Sequence, residues 1–114
     1  MSLISDILNA VSDKVWKALA DPTRRQILES LSGEPVTTGA IVEEFTPALV
    51  RTAVMKHLDV LESAGLIHVE RVGRQRWNHP QFQALKTVSS WLDRRVNTHQ
   101  RNLKRLKQLT ESHP

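Results

Sequence analysis

The stretch RTAVMKHLDVLESAGLIHVERVGRQRWNH, Arg51 to His79, leaves the chain few folds to choose from. Val54, Leu58 and Leu61 recur at helical spacing, while Arg51, Thr52, Met55, Lys56 and Asp59 fall on the opposite side. One face can pack and the other is left to meet a partner. Gly65 stands where a helix end needs a left-handed residue, and the LIHVERV that follows is β-branched and partly alternating, as suits a half-buried strand. The spacing predicts a helix ending at about Ala64, then strands over about Ile67 to Arg71 and Gln75 to Asn78. Between them Val72-Gly73-Arg74 supplies a permissive turn.

Upstream, Leu3, Ile7, Leu8, Val11, Val15, Trp16 and Leu19 step by three and four residues, which predicts a first helix over about Ile4 to Ala20. Asp21 is a favoured N-cap and Pro22 is tolerated at the first helical position, so a second helix runs to about Leu31 with Ile27, Leu28 and Leu31 inward. After the turn Ser32 to Pro35, Thr37 or Thr38 can cap a short third helix through Phe45, with Ile41, Val42 and Phe45 on its core side. Two helices joined by a short turn, the second with a polar and basic outer face and a basic hairpin behind it, make a winged helix-turn-helix. The expected fold is mainly α with a two-stranded wing: a single domain over residues 1–114, the helix-turn-helix at 37–64 and the wing at 67–79.

From Phe82 onward Leu85, Val88, Leu92, Val96, His99, Leu103, Leu106 and Thr110 repeat at close to a heptad. That stripe is longer than so small a domain can cover from within, so a homodimer is expected. Its dimerisation helices are placed at 1–20 and 82–112. The candidate interface residues are Leu8, Val11 and Val15 on the first helix and Leu85, Val88, Trp91, Leu92, Val96, His99, Leu103 and Leu106 on the last. Trp16, Trp77 and Trp91 lie in or beside apolar patterns and are read as packing residues.

Charge narrows the class of partner. Residues 1–70 hold 6 Lys/Arg against 10 Asp/Glu, whereas residues 71–114 hold 10 against 2. A basic excess that begins at the hairpin suits a polyanion, with a solvated helix face as the plain alternative. There is no cysteine, and His57, His68, His79, His99 and His113 show no close paired spacing, so neither a metal site nor a cofactor is expected. No Gly-rich phosphate loop, GxSxG or HExxH occurs, which points to a binding protein rather than an enzyme. With no long apolar run and no signal pattern, no membrane contact is expected and a cytoplasmic location is.

The candidate contacts to double-stranded DNA follow from side-chain chemistry. Arg51 can make bidentate bonds to guanine O6 and N7 or a phosphate contact. Thr52 suits a thymine methyl or a phosphate, and Lys56 a phosphate or guanine. Met55 suits an apolar contact to a base or a plain surface role, and His57 suits packing or a backbone phosphate. Thr37 and Thr38 put hydroxyls and helix N–H groups where a phosphate would bind, or simply cap the helix. Arg71, Arg74 and Arg76 can follow phosphates or enter the minor groove.

The blocks KALADPTRRQILESL, VTTGAIVEEF, RTAVMKHLDVLESAGLI and ERVGRQRWNH, in this order and spacing, resemble the ArsR family of bacterial winged-helix repressors. The resemblance implies a dimer through the outer helices, a fourth helix in the major groove and repression by promoter occupancy. A dimer of such readers is expected to meet an inverted-repeat operator in double-stranded DNA, its own promoter being a candidate. It also implies that Arg94, Arg95, Arg101, Lys104, Arg105 and Lys107 lie on the dimerisation helix, away from the reading surface. Two departures stand out. Val50 replaces the usual Ser cap of the reading helix, and neither the Cys-x-Cys nor the Asp, His and Glu ligands of metal-responsive members occur. The alternatives are an effector-sensing derepressor of the same fold and a winged-helix protein-interaction module.

Overall fold

The computed structural model describes residues 13–111. Their order is α1 (13–19), α2 (Pro22–Ser30), β1 (Val36–Thr37), α3 (Thr38–Phe45), α4 (Arg51–Ser63), β2 (Ile67–Val72), β3 (Gln75–Pro80) and α5 (Gln83–Glu111). The start of the expected first helix, with Leu8 and Val11, lies outside the described residues.

Capping chemistry sets the helix ends. Asp21 Oδ1 accepts from the Thr23 and Arg24 N–H groups at 2.8 and 3.4 Å, with Pro22 in the first turn where no N–H is needed. The two arginines that follow reach backwards. Arg24 donates from Nε to the Ala18 carbonyl at 2.7 Å and from Nη2 to the Lys17 carbonyl at 2.9 Å, and Arg25 Nη1 donates to Leu19 O at 2.6 Å. The tetrapeptide-plus-one DPTRR therefore begins one helix and closes the one before it, because cations near a C-terminus satisfy its orphan carbonyls.

α4 ends in a Schellman turn. The Leu66 N–H donates to Leu61 O at 3.0 Å, the Gly65 N–H donates to Glu62 O at 2.9 Å, and Gly65 has φ +74°. The apolar pair that such a turn brings together is Leu61 and Leu66, both fully buried. These two belong to one core with Val15, Ala18, Ile27, Leu31, Ile41, Val54, Leu58, Ile67 and Val88, against which Val42, Phe45 and Leu85 are partly buried. Each large side chain there contributes about 1.5–3 kcal/mol by burial.

The sheet has one strand beyond the expected hairpin. β2 and β3 pair antiparallel from Ile67↔Pro80 to Val72↔Gln75, and β1 adds to the other edge of β3 through Val36↔Asn78 and Thr37↔Trp77. Two residues are too few for an alternation signal, so only the pairing itself reveals β1. Gly73 takes φ +63° at the first position of the two-residue turn, and Arg74 has no positive φ, the sign pattern of a type II′ hairpin.

Val15 and Val88 are core residues, 0% and 6% exposed, so they pack within the chain and are removed from the expected interface set. Past Val88 the situation reverses: every residue of α5 from 89 to 111 is exposed. No helix among the described residues is long and apolar enough to cross a membrane.

Asp21 carries a pH signature. Its surroundings push the carboxyl up by desolvation, but the Thr23 and Arg24 N–H groups, the Arg24 guanidinium and His57 outweigh this and hold it below its ordinary value of 3.8. A depressed carboxylate stabilises the fold above its unfolded pKa and loses that contribution as pH falls through the folded one. Asp21→Ala should therefore unfold at lower urea than the parent at neutral pH, with the difference in midpoints narrowing as pH falls below 3.8.

Candidate nucleic-acid interface

The period of the sheet carries its core face out into a charged end. Ile67, Val69 and Arg71 share one face of β2, and Pro80, Asn78 and Arg76 are their cross-strand partners on β3. Near the domain this face packs on the core: Ile67 is buried, Val69 half-buried and Asn78 fully buried. At the far end the same face presents Arg71 and Arg76 directly opposite one another. Like charges placed so repel and weaken the hairpin.

Those arginines line a groove of ≈340 Å³ with Thr37, Thr38 and Gly39 from the start of α3, Arg51 and Met55 from α4, and Arg74 and Gln75 from the wing turn. Four arginines and no carboxylate line it. Seven of the residues singled out from the sequence meet here, drawn from three elements that are distant in the chain. Gly39 and Gln75 were not singled out, having only a small or neutral side chain to mark them.

α4 starts at Arg51, with Val50 extended at φ −78° and ψ 158° and making no side-chain cap bond. Without a Ser cap, the first N–H groups of α4 have no side-chain acceptor from residue 50. Thr52 and Lys56 are exposed on α4 but outside the groove. His57 is half-buried on the other flank, with Nδ1 3.3 Å from Arg24 Nη1.

The two threonines divide their tasks. Thr37 is the N-cap of α3, its Oγ1 accepting from the Ala40 N–H at 3.2 Å. Thr38 is 4% exposed, and its Oγ1 accepts from Asn78 Nδ2 at 3.0 Å. The same amide donates to Val36 O at 3.1 Å. Thr38 thus shapes the groove from beneath, and its hydroxyl is corrected from ligand contact to internal bond. Asn78 is the residue that sequence reasoning missed: it ties β1, α3 and β3 together behind the arginines. Its signal was a polar residue at an inward strand position, where an apolar one is the rule.

The sequence and the fold are shared with known proteins. The model of a helix-turn-helix domain family matches residues 19–70. The transcriptional repressor SdpR of Bacillus subtilis is 32% identical over 85 residues, covering 75% of this chain and 92% of SdpR. The structure of an ArsR-like transcriptional regulator from Rhodococcus sp. RHA1 covers 100% of both chains at 27% identity and a TM-score of 0.81. This chain belongs to the ArsR family. A second solved ArsR family regulator, 28% identical, covers 93% of this chain and 96% of its own with a TM-score of 0.70.

Membership makes the protein a DNA-binding transcriptional regulator and the groove its candidate interface; the family and fold are those of regulators rather than enzymes. This ArsR-family chain has no cysteine, so the cysteine metal-sensing motif is missing from it. Among the described residues no group of three or more His, Asp or Glu side chains could hold a metal ion.

Replacing Asn78 by Leu keeps its branching but adds bulk and removes the amide donor to Val36 O and the Thr38 hydroxyl. Asn78→Leu should cost about 1–3 kcal/mol in urea unfolding, and it should weaken DNA binding by more than a surface change on the opposite face of the wing does.

Proposed function

We propose that this ArsR-family regulator is a homodimeric repressor that recognises an inverted-repeat operator in double-stranded DNA, its own promoter included, and acts in the cytoplasm. The observation that carries the reading is the Arg71–Arg76 pair, placed face to face across the wing beside Arg51 and Arg74 with no carboxylate in the groove. Such a cluster costs the free protein stability, and a phosphate backbone relieves it. Arg51, Thr52, Met55 and Lys56 on α4 are the base-reading set, and Arg71, Arg74 and Arg76, with Thr37 at the α3 start, hold phosphates. SdpR being a repressor supports repression as the outcome of binding.

The dimer rests on α5. Trp91, Leu92, Val96, Leu103 and Leu106 are each between 43% and 60% exposed on one side of that helix, with His99 on the same stripe. An exposed helix of this length is marginal in water without a packed face, so a second copy covering the stripe is the economical partner. Trp16 of α1 packs edge-to-face on Trp91 with ring centroids 5.9 Å apart, which ties α1 to the same surface. Leu103→Glu should therefore convert the dimer to monomer in sedimentation velocity, and it should lower operator affinity by removing one of two half-site contacts.

Selection from a randomised duplex pool with purified protein tests the reading, and an enriched motif of two inverted half-sites with centres about one helical turn apart is the expected result. On that operator Arg51→Ala should cost about 1–3 kcal/mol and relax one position, whereas Arg74→Ala should weaken all sequences alike and lower the salt slope by about one. A pool that yields no enriched sequence would overturn sequence-specific recognition.

A further inference from the structure

α4 is seated on the core by Val54, Leu58 and Leu61, and apolar contact of this kind has no preferred direction. Close packing limits how far such a helix can roll, and a directional polar contact narrows that range further. With groups on its surface about 5–6 Å from the axis, a roll of about 10° moves each of them by about 1 Å. A bidentate arginine contact to a base does not survive an error of that size undiminished. The final rotation of α4 then needs a directional contact, and among the described residues there is one polar side-chain tie on its flank, from Arg24 to His57.

Arg24 is 16% exposed, and its planar fork is held by acceptors on every arm. Nε donates to Ala18 O at 2.7 Å, Nη2 donates to Lys17 O at 2.9 Å, and Nη1 lies 3.8 Å from Asp21 Oδ2 and 3.3 Å from His57 Nδ1. A guanidinium can only donate, so in this contact Nδ1 of His57 is the acceptor. His57 directly precedes Leu58 and follows Val54 by three residues, at the edge of the packed stripe and not on the reading face. The contact therefore links α4 to the end of α1 and the start of α2, the part of the domain farthest in sequence from the wing.

We propose that Arg24 and His57 are a positioning pair for DNA reading: Arg24, anchored on the last carbonyls of α1, holds the His57 ring and so sets the rotation of α4 and the aim of Arg51 and Met55. This inference rests on the reading role of α4 proposed above. It assigns His57 to the alignment of the reading helix rather than to phosphate contact.

The test uses the full chain and the operator obtained from the randomised pool, with a scrambled duplex of equal length as competitor. His57→Leu keeps bulk and removes the acceptor, and it should lower the affinity ratio of operator to scrambled duplex about tenfold while leaving the salt slope unchanged. His57→Asn, whose Oδ1 can accept from Arg24 Nη1, should recover most of that ratio. Arg24→Lys keeps the charge but loses the fork, and it should resemble His57→Leu. If Arg24→Lys does not fold, the contrast between the two His57 variants decides. Equal behaviour of Leu and Asn, a salt slope reduced by about one, or a change in melting temperature with the ratio intact would each overturn the proposal. Arg51→Ala serves as the control: if it also leaves the ratio unchanged, it is the reading role of α4 that fails; if it lowers the ratio while His57→Leu does not, only the positioning role fails.

Discussion

The left-handed turn at Gly65 is the constraint on which the interface depends. It ends α4, the proposed reading helix, and only Leu66 separates it from the strand that becomes the wing. Leu61 before it and Leu66 after it are buried against each other's neighbours in the same core. The wing therefore has no hinge of its own. Its distance from α4 is set by core packing at one end and by the strand rise at the other, about 3.3 Å per residue over six residues. A Cβ at Gly65 would meet no atom, so the residue is required by the backbone and not by space.

The electrostatics of the groove oppose the fold that presents them. Arg71 faces Arg76 across the strands, and each sits on the sheet face that elsewhere packs the core. Farther back, on the opposite face of the hairpin, Glu70 Oε2 lies 3.0 Å from His79 Nε2, so a carboxylate is available nearby and is not used in the groove. A surface selected for stability alone would have placed a carboxylate between the arginines. The arrangement makes sense as a site whose missing counter-charge comes from a ligand, and it concentrates the positive potential where three elements converge.

Much of this was legible in the sequence because it is local. Asp21 and Pro22, the period of Val54, Leu58 and Leu61, and Gly65 and Gly73 at their turns each act within a few residues, so their effects can be read off a short window. What could not be read depends on pairing over distance. Val36 finds Asn78 across 42 positions, and Arg24 finds His57 across 33. Neither partner carries a mark of the other. Val15 and Val88 misled for a related reason: an apolar stripe shows that a helix face is covered, but not whether the cover comes from its own chain. The arginines of the wing were recognised individually, and only the register shows that two of them stand opposed.

Asn78 gives the wing a mechanical character. One amide, fully buried, is bonded to the β1 backbone and to the first residue of α3, so the hairpin cannot swing away from the helix-turn-helix without breaking both bonds in a water-poor interior. In the proposed complex the protein would thus meet a duplex as a rigid template. Any mismatch between groove width and the spacing of wing and reading helix must be absorbed by the nucleic acid. Base steps that never touch the protein then influence affinity through how readily they bend or narrow, so selectivity comes partly from the stiffness of the DNA itself.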